Sequence, residues 1–137
     1  MWVTRHLIAL GLFVVANIGY AEKASTYLCI PDFGTGFSYT PEKKAWEVTR
    51  FRTKDRKYIL SKSSGEWIWK DFGSDSGYPC SEFDKSGVIA CGFGGVADVA
   101  FSRNTMRFRD SYLSGYVDGI DNSHNTPSVT IGTCTKL

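Results

Sequence analysis

The side chains able to do chemistry here are four cysteines, two histidines, a crowded run of cations and a scatter of carboxylates. His6 belongs to an N-terminal leader, so His124 is the single imidazole of the remaining chain. A zinc site of two or three histidines therefore has no ligands within one chain. A Ser–His–Asp triad would have to rest on His124, in the loop-like stretch 119–127. Cys29, Cys80, Cys91 and Cys134 show neither C-x2-C nor C-x4-C spacing, which favours disulfides over zinc. Pairing Cys80 with Cys91 closes a short turn-rich loop, and Cys29 with Cys134 ties the first strand to the last. Loop entropy assigns about 3 kcal/mol to the short ring and roughly 4–5 kcal/mol to the long one. No residue pattern marks a catalytic group, and no metal or cofactor is expected.

The cations are distributed unevenly. Lys43, Lys44, Arg50, Arg52, Lys54, Arg56, Lys57 and Lys62 crowd into residues 42–62, whereas Asp71, Asp75, Glu82, Asp84 and Asp98 make residues 71–98 acidic. Arg50, Arg52, Lys54, Arg56 and Lys57 are the candidate ligand-binding set. Gathered at a hairpin tip, they suit an anion such as lipopolysaccharide or a cell-wall polymer. The bland alternative is a solvated tip whose charges guard a strand edge. The net charge of +2 is too small to imply nucleic acid. Trp46, Trp67 and Trp69 with Tyr58 offer either a platform for sugar rings or the aromatic core of a small β domain. The glycine run Cys91-Gly92-Phe93-Gly94-Gly95 precedes a strand and so lacks the helix start that a phosphate cradle needs. The oxygen-rich stretch 118–125 misses the calcium-loop spacing.

Upstream of all this, Arg5 precedes the apolar run 7–15, and Gly19-Tyr20-Ala21 supplies small residues at the −3 and −1 positions. That pattern reads as a secretory signal over residues 1–21, too short in its apolar part to span a bilayer. Residues 22–137 are then one exported domain with no membrane span, periplasmic or secreted. That compartment suits the disulfides.

The elements that must position these groups show period two rather than helical period. Strands are expected over 26–30, 36–39, 46–51, 57–61, 66–72, 87–91, 96–102, 105–109, 112–117 and 128–134. The pair 46–51 and 57–61 reads as a hairpin over a 52–56 tip, 73–80 as a loop and 119–127 as a polar connection. Short strands at such spacing predict an all-β domain, a small antiparallel barrel or sandwich of about eight strands. Val48, Ile59, Val99, Phe101, Phe108, Val129 and Ile131 are the expected core.

Tyr27-Leu28-Cys29, Gly36-Phe37-Ser38-Tyr39, Trp46, Lys57-Tyr58-Ile59-Leu60, Arg107-Phe108, Gly115-Tyr116 and the closing Thr126-Pro127-Ser128-Val129-Thr130-Ile131-Gly132-Thr133-Cys134 give the chain its character. In them, and in the placing of Cys80 and Cys91, it resembles small exported proteobacterial proteins of unknown function. The resemblance implies a periplasmic setting and carries no functional residue. In size and in the opening Tyr-x-Cys strand the chain is also similar to periplasmic inhibitors of C-type lysozyme. Those carry a Ser-Gly-x-x-Tyr motif, whereas Ser64-Gly65 is followed here by Trp67 and Ile68. The expected function is a non-catalytic binding or envelope-protection module, with an anionic envelope polymer or a protein hydrolase as the candidate partners. The alternatives are a protein inhibitor of a lysozyme-like hydrolase and a cryptic envelope hydrolase.

Overall fold

Tyr58 and Leu60 alternate on one strand, Trp67 and Trp69 on the next, and all four side chains point the same way. With period two, that single face must be covered, and the chain covers it by curling the sheet upon itself. The computed structural model describes residues 25–83, 85–93 and 97–137. The expected signal over 1–21, Asp84, and Gly94, Gly95 and Val96 lie outside the described residues.

The described strands are β1 (Thr26–Thr40), β2 (Ala45–Phe51), β3 (Tyr58–Ser63), β4 (Glu66–Asp71), β5 (Tyr78–Phe83), β6 (Val88–Phe93), β7 (Ala97–Ser102), β8 (Arg107–Tyr112) and β9 (Ser128–Lys136). From β3 to β9 each pairs antiparallel with the next, and β1 pairs with both β3 and β9. This closes an eight-stranded barrel, with β2 as an extra strand outside the ring. The expected all-β class and the barrel alternative both hold.

Both disulfides form as expected, Cys29–Cys134 across β1 and β9 and Cys80–Cys91 across β5 and β6. Each joins residues that face each other directly in the ladder, so each also pins a register. The Cys29–Cys134 bond locks the seam where the barrel closes.

The interior is filled by Tyr27, Tyr58, Leu60, Trp67, Trp69, Ile89, Val99, Phe101 and Phe108, together with the half-cystines Cys29, Cys91 and Cys134. Aromatic rings dominate it: Tyr58 stacks on Trp69 at 4.8 Å between centroids, and Tyr27 meets Phe101 at 4.9 Å. Gly132 belongs to this packing. A Cβ there would lie 2.5 Å from the Phe108 ring and 2.3 Å from the Ile30 carbonyl oxygen.

Val99, Phe101 and Phe108 are core residues as expected, but Val48, Val129 and Ile131 are not, being 77%, 39% and 50% exposed. Ile59 is half-buried on the outer face, between the inward Tyr58 and Leu60. The β9 error is one of phase. Cys134 must face inward to reach Cys29, which turns Gly132 and Thr130 inward and Ile131 and Val129 outward. Val48 lies on β2, outside the barrel altogether.

Four expectations about the elements also differ. The strands expected over 26–30 and 36–39 are one strand, β1, which runs on through Pro31 and Asp32 with a one-residue irregularity. Residues 78–83, within and beyond the expected loop, form β5, held by the Cys80–Cys91 pairing although most of its side chains are exposed. The 112–117 stretch ends β8 at Tyr112 and continues as a 3-10 turn, Ser114–Tyr116. Finally, β2 and β3 do not form a hairpin. Residues 34–40 of β1 pair with β2 and residues 26–29 with β3, so the two lie end to end along the same edge of β1. Residues 52–57 bridge the gap between them beside an irregularity in β1 between Pro31 and Phe33. The Thr53 hydroxyl there lies 3.5 Å from the Asp32 carbonyl.

Truncating the inward Phe101 to alanine should cost about 3–5 kcal/mol. Val129→Ala should stay within about 0.5 kcal/mol of wild type, as surface changes do. Urea unfolding followed by tryptophan fluorescence measures both, and a large Val129 effect would reverse the assigned phase of β9.

Candidate functional site

The five cations proposed from sequence have different surroundings. Arg50 is exposed on β2, and Arg52 lies 2.5 Å from Asp55 within the bridging segment. Arg56 turns toward the barrel, its guanidinium 5.3 Å from the Tyr58 ring centroid and 4.0 Å from Asp110 Oδ2. Lys57 Nζ sits 6.0 Å from the Phe72 ring centroid. Among the described residues Arg50 and Lys54 make no ion pair. Carboxylates therefore face two of the three arginines, and the segment holds less uncompensated charge than its sequence suggests.

At that end of the barrel the Tyr58 hydroxyl donates to Asp110 Oδ2 at 3.2 Å. Burial pushes the Asp110 carboxyl above its ordinary range. Arg56 and the Tyr58 hydrogen bond oppose that shift, and Asp71 and Asp98 add to it. Burial likewise raises the Tyr58 phenol beyond its usual range. A carboxyl, a phenol and a guanidinium are ingredients of acid–base chemistry. Tyr58, however, is 2% exposed and stacked on Trp69, so it seals the barrel rather than meeting a substrate. At the opposite end Trp67 Nε1 donates to Glu82 Oε2 at 3.1 Å, and Arg103 pairs with the same carboxylate.

A further arrangement lies outside the barrel, where β1 and β2 project as an arm. Phe37, Tyr39, Trp46 and Val48 share one face of that arm, since Phe37 faces Val48 and Tyr39 faces Trp46 across the ladder. Trp46 packs 5.6 Å from Tyr39 and meets Tyr116 edge-on, also at 5.6 Å. Its indole N–H donates to Asp121 Oδ1 at 2.9 Å, which fixes the ring. Phe37, Trp46, Tyr116 and Pro127 line a hollow of about 390 Å³. A smaller one of about 200 Å³ continues past Phe37 over Val48, Leu113 and Val129. A third, of about 520 Å³, runs over Phe33, Arg107, Arg109 and Ile131.

The far wall of the aromatic cleft is shaped by the stretch read from sequence as a polar connection. Asp118 Oδ1 accepts the Ile120 N–H at 2.9 Å, and Asn122 Oδ1 accepts those of His124 and Asn125 at 2.8 and 2.9 Å. Asn125 Nδ2 donates to Asp118 Oδ2 at 2.5 Å, and the Tyr112 hydroxyl bonds Asn125 Oδ1. These oxygens order their own backbone, as Asn and Asp do in turns. The Phe37 N–H donates to the Pro127 carbonyl at 2.9 Å, which seats the loop against the arm. Gly36 makes that approach possible, because a Cβ there would fall 2.0 Å from the same carbonyl oxygen.

Of the aromatic set weighed from sequence, Tyr58, Trp67 and Trp69 are buried core and Trp46 alone reaches the surface cleft. The missed members, Phe37, Tyr39 and Tyr116, carried one local signal: Phe37 and Tyr39 alternate on the strand that faces Trp46. Tyr116 arrives from far along the chain. Among the described residues no cluster of three or more His, Cys, Asp and Glu side chains is placed to hold a metal ion. No family model, curated protein or solved structure matches the chain.

The raised Asp110 pKa has a definite sign in stability. Where Asp110 is protonated in folded and unfolded states alike, below the ordinary carboxylate range, its contribution is fully present. That contribution is lost as pH rises through the range to the raised folded value. Asp110→Asn keeps an acceptor for Tyr58 without the buried charge. Its melting temperature should exceed that of wild type at pH 7 and converge on it below about pH 3. Thermal scans across pH test this, and equal melting temperatures at pH 7 would contradict it.

Proposed function

We propose that the protein is a non-catalytic binding module of the cell envelope, taking sugar rings of an envelope glycan on its aromatic arm. Two disulfides fit an oxidising, non-cytoplasmic compartment. No helix among the described residues is long and apolar enough to cross a membrane. Side chains fill the barrel interior, which leaves recognition to the outside. The observation that carries the reading is Trp46, held in place by Asp121 and flanked by Tyr39 and Tyr116 beside an open hollow. Rigid aromatic faces with polar groups at their rim suit a flat ligand having one apolar side and many hydroxyls. Arg50 lies on the same face of β2 as Trp46 and offers a cation to an acidic glycan.

Purified protein should be retained on peptidoglycan or lipopolysaccharide. Trp46→Ala should weaken binding about tenfold, the loss of roughly 1.4 kcal/mol expected for one aromatic face. Arg52→Gln/Arg56→Gln should change retention little, since both arginines already face carboxylates. Equal retention of wild type and Trp46→Ala would defeat the reading. Stoichiometric inhibition of lysozyme without glycan binding would assign the inhibitor role instead.

A further inference from the structure

Among the described residues β2 pairs with β1 alone, so its second edge is open. The direction of its backbone groups follows from one hydrogen bond. The Phe37 N–H donates to Pro127, away from β2, so Gly36, Ser38 and Thr40 present their groups toward β2. Their ladder partners Thr49, Glu47 and Ala45 answer them. Trp46, Val48 and Arg50 are therefore the residues whose N–H and C=O groups point outward.

Natural proteins blunt such an edge with proline, lysine, a bulge or a very short strand. β2 carries no proline, lysine or bulge, and Glu47 and Arg50 are its two charged side chains. Its register with β1 runs unbroken from Gly34–Phe51 to Thr40–Ala45, and the three outward-pointing residues are a tryptophan, a valine and an arginine. Val48, 77% exposed, stands in the middle.

We infer that this edge pairs with the same edge of a second copy of the chain, antiparallel about a two-fold axis through Val48. That register is self-complementary, as a two-fold interface must be. Val48 faces the partner's Val48. Trp46 faces the partner's Arg50, and the same contact recurs beyond the axis, bringing a guanidinium to an indole on the outer face. On the other face Glu47 lies opposite the partner's Thr49, so within β2 no like charges are opposed. Moving the axis one residue to Glu47 would instead set two carboxylates against each other, which disfavours that register. The product is a continuous sheet, β1–β2 followed by the partner's β2–β1, with the two aromatic arms side by side. A ligand with repeating units could then engage both. The pairing itself rests on the strand edge and not on the identity of any ligand.

An interface of one short strand is small, so association belongs in the micromolar range. Sedimentation of the purified, disulfide-bonded protein between about 1 µM and about 300 µM should show its mass rising toward twice the monomer value. Val48→Asp places two carboxylates together at the axis and should stay monomeric throughout. Its urea midpoint should be unchanged, because the side chain is exposed in the monomer. Val48→Cys should form a covalent dimer under mild oxidation, and Glu47→Cys, off the axis and on the other face, should not. A wild type that remains monomeric at the highest concentration overturns the inference. So does a dimer that survives Val48→Asp, or one that is abolished instead by Phe33→Ala/Ile131→Ala.

Discussion

The extra residue that β1 accommodates between Pro31 and Phe33 decides the shape of everything around it. Before that point β1 is held between β3 and β9; beyond it, the strand keeps β9 on one edge as far as Gly36, takes β2 in place of β3 on the other, and projects past β9 only from Phe37. Proline has no N–H to give the ladder, and an unmatched residue bends the strand that carries it. The irregularity coincides with the stretch of β1, residues 30–33, that neither β2 nor β3 pairs with. The bridging segment 52–57 spans that stretch.

Much of the barrel was legible because burial leaves a period-two trace. Trp67 and Trp69, Val99 and Phe101, and the cysteine pairs all followed from alternation or from the oxidising setting. What escaped was decided at long range. The edge of β1 that receives both β2 and β3 is a property of the closed sheet, and nothing in residues 46–61 distinguishes it from a hairpin. Exposed β5 is recruited by the half-cystine opposite Cys91, against a composition that reads as loop. The phase of β9 was within reach: its cysteine must face inward, but apolarity at Val129 and Ile131 spoke louder.

The candidate site shows the same division. Trp46 stands out in the sequence, yet its neighbours Tyr116, Asp121 and Pro127 come from a loop some seventy or more positions away. The charge excess near residue 50 is conspicuous on paper because sequence shows cations without their partners. In the fold, Asp55 and Asp110 stand beside Arg52 and Arg56. Asp110 answers from a strand separated from Tyr58 by 52 positions. A linear charge count measures supply, whereas a binding site depends on what remains uncommitted.

The bond between Cys29 and Cys134 spans 105 positions and so makes most of the described chain a covalent ring. Connections such as 52–57, 73–77 and 113–127 all lie inside it. Cutting a ring once opens it without releasing a piece. A protease that nicks any one of those loops therefore leaves both fragments tethered, with every strand still able to find its neighbour. In the oxidising, non-cytoplasmic setting that the disulfides suit, a single scission becomes a survivable injury, and only a second cut elsewhere in the ring can shed a fragment.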